Sequence, residues 1–317
     1  MLNRRILRVK AFKELYAYSI FRRPCEDALK ELEASCEDAR NLYLFMLALA
    51  PELAKAASAR IEAARGKFNP TQEDLNPNMR FVQNSVSEYF ATDPDFTKIA
   101  ARKKLSWQQY DIFIGRLLDS VFSKDYFKAY MSMDGVEKAD DCALFTQIYT
   151  EELEDNPDIY PILEDLCINW PDDLPYALTW CCHAFSALSR GYRWRLPELY
   201  ISDEIKRSKP DADMSSDRAF VRRLLSNAVA GYERYFGMIT AAVPDWDSDR
   251  LSPADIAIVI LGLSETESFR DIPLRVTINE YVEISKYYSS NKSRQFVNGL
   301  LDRLAKQLSE STTTEIK

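Results

Sequence analysis

An all-α fold is the prediction for this sequence, and three observations make it. Only eight glycines occur in 317 residues, against abundant Leu, Ala, Glu, Lys and Arg. Period-two alternation of the kind that marks half-buried strands is almost absent, while apolar residues recur at spacings of three and four. With 46% apolar and 28% charged residues, the chain can bury one large core or two moderate ones, and nothing in it reads as disordered.

The elements follow in order. Residues 3–22 read as a first helix, closed by Pro24. CEDALKELEASCEDARNLYLFMLALA continues to a break at Pro51 and resumes as PELAKAASARIEAARGK, where proline suits a first helical turn and Gly66 a C-terminal cap; the pair forms either a helical hairpin or one kinked helix. GKFNPTQEDLNPN, residues 66–78, is the clearest loop, because each of its two Asn-Pro steps disfavours helix before the proline. Helices are expected at about 79–90, 106–132, 139–154 and 175–190, separated by DPD, MDG, NPD and WPDDLP. PELYISDEIKRSKPDADMSSD, residues 197–217, is a polar connector and the expected domain boundary. Beyond it lie a helix over 220–243 and a helix over 252–265, with Ser252 as cap and Pro253 at the first helical position.

The stretch IPLRVTINEYVEISKYYSSNKSRQFVNGLLDRLAK, residues 272–306, is the densest in local signals. Thr277 and Glu280 match the T-x-x-E capping box and Val276 with Tyr281 stand at staple positions, so a helix is expected to start at Thr277. Ile278, Tyr281, Val282 and Ser285 mark one face. After the polar turn SSNKS, Val297, Leu300, Leu301, Leu304 and Leu308 form one apolar stripe, with Gly299 inside it at about 1 kcal/mol relative to alanine. A glycine there predicts close backbone approach by a neighbour.

No uninterrupted apolar run approaches the roughly 20 residues that cross a bilayer, and Arg4, Arg5 and Arg8 have no apolar signal core behind them; a cytoplasmic protein with no membrane partner is expected. The six cysteines (Cys25, Cys36, Cys142, Cys167, Cys181, Cys182) contain no CxxC pair, so reduced thiols are expected. WCCH, residues 180–183, holds the only histidine beside two thiols, but neighbouring helical residues diverge by about 100° and cannot converge on one tetrahedral ion. No metal, no cofactor and no catalytic residues are expected, and a single histidine excludes relays that need two.

The net charge of −8 is unevenly divided. Residues 1–23 carry seven Lys/Arg and one Glu, residues 270–308 seven Lys/Arg and four acids, and the remainder is strongly acidic. Local potential rather than net charge decides where an anion docks. Arg4, Arg5 and Arg8 fall within one helical wedge that Phe12, Leu15 and Tyr16 continue. Arginine forks match phosphate oxygens and exposed aromatic faces stack unpaired bases, so a basic helix tip near a second basic segment suits single-stranded RNA; the plain alternative is a solvated, charged helix end. Lys292, Ser293, Gln295 and Asn298 supply donors at a helix N-terminus, where free backbone N–H groups also favour phosphate. Asn298 serves equally well as a partner for a core backbone group. SRGYRWR, with Arg190, Tyr192, Arg193, Trp194 and Arg195, either extends an RNA path or anchors a helix-to-loop corner with buried aromatics, and the second is the expected reading.

The run VTINEYVEISK followed by KSRQFVNGLLD resembles the C-terminal signature of the NusB family of transcription antitermination factors. Arg4, Arg5, Arg8, Leu15 and Tyr16 resemble the start of the same family, and DIAIVILGLSE at 255–265 its central helix. Residues 24–196 show little likeness. The family's central helix commonly carries an arginine where this chain has Ile260, and the family's acidic residue in the turn before F-V-N-G is here Lys292. The resemblance implies two small helical bundles that bind boxA-type single-stranded RNA together with the ribosomal protein NusE, within the transcription elongation complex, in support of ribosomal RNA transcription. It implies RNA contacts at Arg4, Arg5, Arg8, Lys292, Ser293, Gln295 and Asn298, and a partner surface at or beside Tyr16 and Asp255. Family proteins are usually near half this length. Residues 1–23 would then be the first helix of the family core, 24–207 an additional helical region, 208–308 the rest of the core, and 309–317 a disordered tail.

Two other functions compete. One is a protein adaptor of the same fold that has lost RNA binding, which the acidic enlargement motivates. The other is an RNA-modifying enzyme, because some RNA cytosine methyltransferases resemble this family in an N-terminal domain; that would require a following domain with cofactor glycines, and with no glycine-rich loop before the signature and only about ten residues after it, this function is not the expected one.

Overall fold

The computed structural model describes residues 1–210, 216–243, 252–289 and 291–314, without the side chains of 291, 292 and 309–314. The all-α prediction is what the structure has: the β-type pairing found among the described residues is an isolated bridge between Leu2 and Tyr200. Two compact units form, one from Met1–Cys36 with Glu198–Lys317, the other from Glu37–Pro197. The sequence drew its boundaries at 23/24 and 207/208. The first falls later because α2 starts inside the first unit, where Glu33 is held by Arg218 and Arg222. The second falls earlier because Leu2 pairs with Leu199 and Ile201.

Helix α1 (Arg4–Phe21) opens on Asn3, whose side chain accepts from the Ile6 amide at 3.0 Å, and closes on Arg22 in the left-handed region at φ 50°. Helix α2 (Cys25–Leu47) and helix α3 (Leu49–Arg65) are separated at Ala48 alone, which keeps right-handed helical angles. The pair is therefore one interrupted helix rather than a hairpin. Pro51 sits in the first turn of α3, where an N–H would have no partner within that helix, and Gly66 caps the end. On length and composition the run Cys25–Arg65 could span a bilayer, but 61% of its most apolar window is buried within the protein.

The second unit adds α4 (Gln72–Leu75), α5 (Ser85–Thr92), α6 (Pro94–Arg102), α7 (Asp111–Ser123), α8 (Asp125–Ser132), α9 (Lys138–Glu151), α10 (Ile159–Leu166) and α11 (Trp170–Ser189). The loop expected over 66–78 contains α4, which a Thr71–Asp74 capping box starts. The helix expected over 106–132 divides at Lys124. Helix α11 begins five residues before Pro175, the expected start, because Trp170 is buried with its indole N–H on the Asp38 carbonyl at 3.0 Å. Carbonyls beside the α2–α3 break are satisfied from this core: Trp107 Nε1 donates to Phe45 O at 2.7 Å and Tyr149 Oη to Met46 O at 2.6 Å.

The first unit is completed by α12 (Ile201–Ser208), α13 (Asp217–Ala230), α14 (Tyr232–Ala242), α15 (Pro253–Ser268), α16 (Leu274–Tyr288) and α17 (Asn291–Thr314). The single helix expected over 220–243 divides at Gly231, where a Cβ would approach the Tyr235 ring to 2.6 Å. Ser252 caps α15 as expected, accepting from the Asp255 amide at 3.1 Å. Helix α15 is surrounded by α1, α13, α14, α16 and α17, and Ala257–Leu263 are buried throughout. Here lies the close approach that the sequence assigned to Gly299. A Cβ on Gly262 would stand 2.8 Å from Leu301 Cδ1, whereas one on Gly299 would meet nothing within 4 Å. The tail expected from residue 309 is helical backbone as far as Thr314, and 315–317 lie outside the described residues.

Candidate functional site

Glu265 closes the apolar run of α15 and is completely buried. A lone carboxylate there would be prohibitively costly, so its partners decide the local architecture. Arg8 of α1 meets it as a fork, Nε to Oε2 at 2.7 Å and Nη2 to Oε1 at 2.8 Å. From α16, Thr277 Oγ1 donates to Oε1 at 3.0 Å and Tyr281 Oη to Oε2 at 2.9 Å. The array continues outward: Arg8 Nη1 lies 3.7 Å from Glu280, and Arg5 holds Glu280 in a second fork at 2.8 and 3.0 Å. Burial alone lowers the Arg8 pKa, yet the Glu265 hydrogen bond and charge leave it raised. The Glu280 carboxyl is held below its ordinary value, chiefly by its hydrogen bond to Arg5.

This array corrects two expectations. Arg8 is only 4% exposed and fully engaged, so it braces three helices instead of facing a phosphate. Thr277 does not cap α16, which starts at Leu274 after Pro273; its hydroxyl is spent on Glu265, Glu280 is taken by Arg5, and Val276 is exposed instead of stapled. Arg4 is ion-paired too, with Asp217 at 3.1 Å, and lies over the Phe220 ring. Of the arginine wedge, Arg5 keeps the most open side chain.

Along α1 the face then turns apolar. Tyr16 is 37% exposed, and Ile20 and Phe21 follow it into solvent. Phe12, inside the same unit, packs on Tyr288 at the end of α16, with ring centroids 5.1 Å apart, and Lys13 Nζ lies 5.9 Å from that Tyr288 ring. Tyr287 beside it is exposed. Asp255, expected at or beside a partner surface, is 2% exposed, and its carboxylate accepts from the Ser289 hydroxyl, tying the start of α15 to the end of α16. It acts as a brace.

The start of α17 carries Ser293, half-buried, with Gln295 and Asn298 exposed, so Asn298 is not a core partner. The Lys292 side chain lies outside the described residues. Phe12 and Arg5 contact α16 at Tyr288 and Glu280 respectively, eight residues or about 12 Å apart along the helix axis. The two basic segments thus flank opposite ends of one helix stretch instead of meeting at one point. Ile260, where the family commonly has arginine, is fully buried.

In the second unit SRGYRWR forms the expected corner: Gly191 has φ +81°, and Trp194 is buried with Nε1 donating to Tyr43 Oη at 2.8 Å. Within WCCH, the Cys181 thiol is buried and directed at the Tyr43 carbonyl. Among the described residues no group of three or more His, Cys, Asp or Glu is placed to hold a metal ion. The sequence reading missed Glu265, although a lone acid ending an otherwise apolar helix is a signal for an internal cation. It missed Ile20 and Phe21 as well, whose spacing continues Tyr16.

Comparison with known proteins places these residues in context. The NusB family profile matches residues 187–306. The transcription antitermination protein NusB of Natranaerobius thermophilus is 32% identical over 114 residues, covering 36% of this chain and 81% of that protein. The protein of that name from Methylacidiphilum infernorum is 42% identical over 90 residues, covering 28% and 63% respectively. The one from Listeria monocytogenes is 30% identical over 119 residues, covering 38% and 90%. No solved structure matches.

Proposed function

The chain belongs to the NusB family, and on that premise we propose that it acts without catalysis in transcription antitermination, binding boxA-type RNA together with the ribosomal protein NusE in support of ribosomal RNA transcription. The observation that carries this reading is the exposed apolar stripe of Tyr16, Ile20 and Phe21 on α1. Tyr16 and Ile20, at i and i+4, share a helix face, Phe21 follows beside Ile20 at the helix end, and an aromatic-rich patch left in solvent is a partner-binding feature. Tyr16 contacts the partner in this proposal, while Asp255 acts indirectly by tying the start of α15 to the end of α16.

RNA is assigned to the strip that runs from Lys292, Ser293, Gln295 and Asn298 past Lys13 to Arg5, with Arg4 at its far end. Arg8 supports it from inside by fixing α1 against α15 and α16. The test is a gel shift with boxA RNA, with and without the ribosomal partner. Wild type should shift RNA strongly only with the partner, and Tyr16→Asp should abolish that gain while keeping the helical circular-dichroism signal. An unchanged shift in Tyr16→Asp counts against the assignment.

A second reading, an adaptor without RNA binding, has one observation in its favour: Arg4, Arg5, Arg8 and Arg22 each already pair with a carboxylate. It predicts partner capture with no RNA shift in the same experiment.

A further inference from the structure

The second unit has an open cavity of ≈ 390 Å³ between α3, α4 and the α7–α8 corner. Its walls include Phe81, Phe122 and Phe127, whose rings pack at 4.7–5.9 Å with edge-on and stacked geometries. That volume is within the about 300–1,000 Å³ of pockets that enclose small ligands, and it has room for one more aromatic ring. Glu73 stands at the rim, exposed and without a hydrogen bond or ion pair.

On the same surface the chain displays such a ring. Phe68 is 99% exposed, the most open large apolar side chain among the described residues. Its loop is rooted beside the cavity, because Lys67 Nζ lies 3.0 Å from Asp74, which lines it. Leaving a phenyl ring in water forgoes the apolar burial that favours such a side chain inside a cavity. Gly66 caps α3 immediately before the pair Lys67–Phe68, and the ring that follows stands in solvent.

We propose that this face pairs two copies of the chain by reciprocal insertion, each Phe68 entering the aromatic cavity of the other and each Lys67 moving from its own Asp74 toward the other copy's Glu73. Knob and cavity are linked in each copy through the Lys67–Asp74 ion pair, so one two-fold axis can satisfy both insertions at once and the contact closes at a dimer. The charges agree, since a cation precedes the ring and an unpaired carboxylate waits at the rim. The surface belongs entirely to the unit that shows little likeness to the family, so the pairing is independent of the RNA and partner reading above.

Sedimentation equilibrium of the full chain over a range of concentrations tests this. Wild type should show a reversible monomer–dimer equilibrium. Phe68→Ser should raise the dissociation constant roughly a hundredfold, since two rings are lost per dimer at about a factor of ten each. Ala64→Phe, which fills the cavity mouth and leaves Phe68 intact, should weaken pairing similarly. Glu73→Lys should weaken it, and Lys67→Glu with Glu73→Lys should restore it. A wild type that stays monomeric at every accessible concentration overturns the proposal, including the case in which a small molecule or another protein occupies the cavity. Association unaffected by both Phe68→Ser and Ala64→Phe overturns it equally.

Discussion

Two arginines three residues apart on α1 have opposite energetic roles. Arg8 neutralises a carboxylate with no water around it, so Arg8→Ala should cost about 3–5 kcal/mol by leaving Glu265 buried and unpaired. Arg5 makes an equally well-formed fork with Glu280, but half of its side chain is in solvent; Arg5→Ala should cost less than about 1 kcal/mol. Urea denaturation of both variants checks the contrast, and equal losses would mean that exposure does not set the strength of these pairs. A third charge on the same helix is frustrated. Burial, and then the like charge of Glu31, pushes the Glu14 carboxyl from 4.5 up to about 7, against the pull of Arg23, Lys10 and Lys13. A raised carboxyl contributes its stability below pH 4.5 and loses it as pH rises through about 7. Glu14→Gln should therefore raise the melting temperature by a few degrees at pH 8.5 and leave it unchanged at pH 4; a rise at both values would remove ionisation as the cause.

Helices α15 and α17 pack at Gly262, and that contact sets their separation. Gly262→Ala forces a Cβ to 2.8 Å from Leu301 and 3.2 Å from Tyr281, both buried, and should cost about 1–3 kcal/mol. Gly299→Ala adds a methyl to open space on an exposed helix face and should stabilise by about 1 kcal/mol through propensity alone. Thermal melts of the two variants should move in opposite directions. The residue pattern put the close approach at Gly299 because that glycine interrupts a visible apolar stripe, whereas Gly262 sits in a helix apolar on every side, where no periodicity points to a contact face. Helix α16 starts ahead of its expected residue for a related reason. T-x-x-E satisfies the capping pattern, but Pro273 offers an earlier start, and the hydroxyl of Thr277 has a stronger demand from Glu265.

Across the first unit, Arg4, Arg5 and Arg8 of the basic N-terminus are each ion-paired once the chain folds, and the proposed RNA strip runs from α17 past Lys13 to Arg5. If RNA follows it, replacing Arg5, Lys13 and Lys292 by alanine should each lower the slope of log affinity against log salt by roughly 0.7 with the ribosomal partner present. Salt titrations of boxA affinity measure this. A slope unchanged in all three variants places the RNA elsewhere or supports the adaptor reading.

Composition and helical spacing by themselves determined the all-α class, the caps at Ser252 and Gly66 and the corner at Trp194, because each depends on residues close together in the chain. The family likeness was legible for the same reason: its signature is a continuous run in one pair of helices. Tertiary structure alone decided what Arg8, Thr277 and Asp255 do. Their partners Glu265 and Ser289 are distant in sequence, and a side chain's preference for water or for a buried partner is settled only when the fold brings that partner within about 3 Å. Phe68 and its neighbouring cavity belong to the same class, since the sequence marks residues 66–78 as a loop, and only the folded surface sets an unpartnered ring beside an open aromatic pocket.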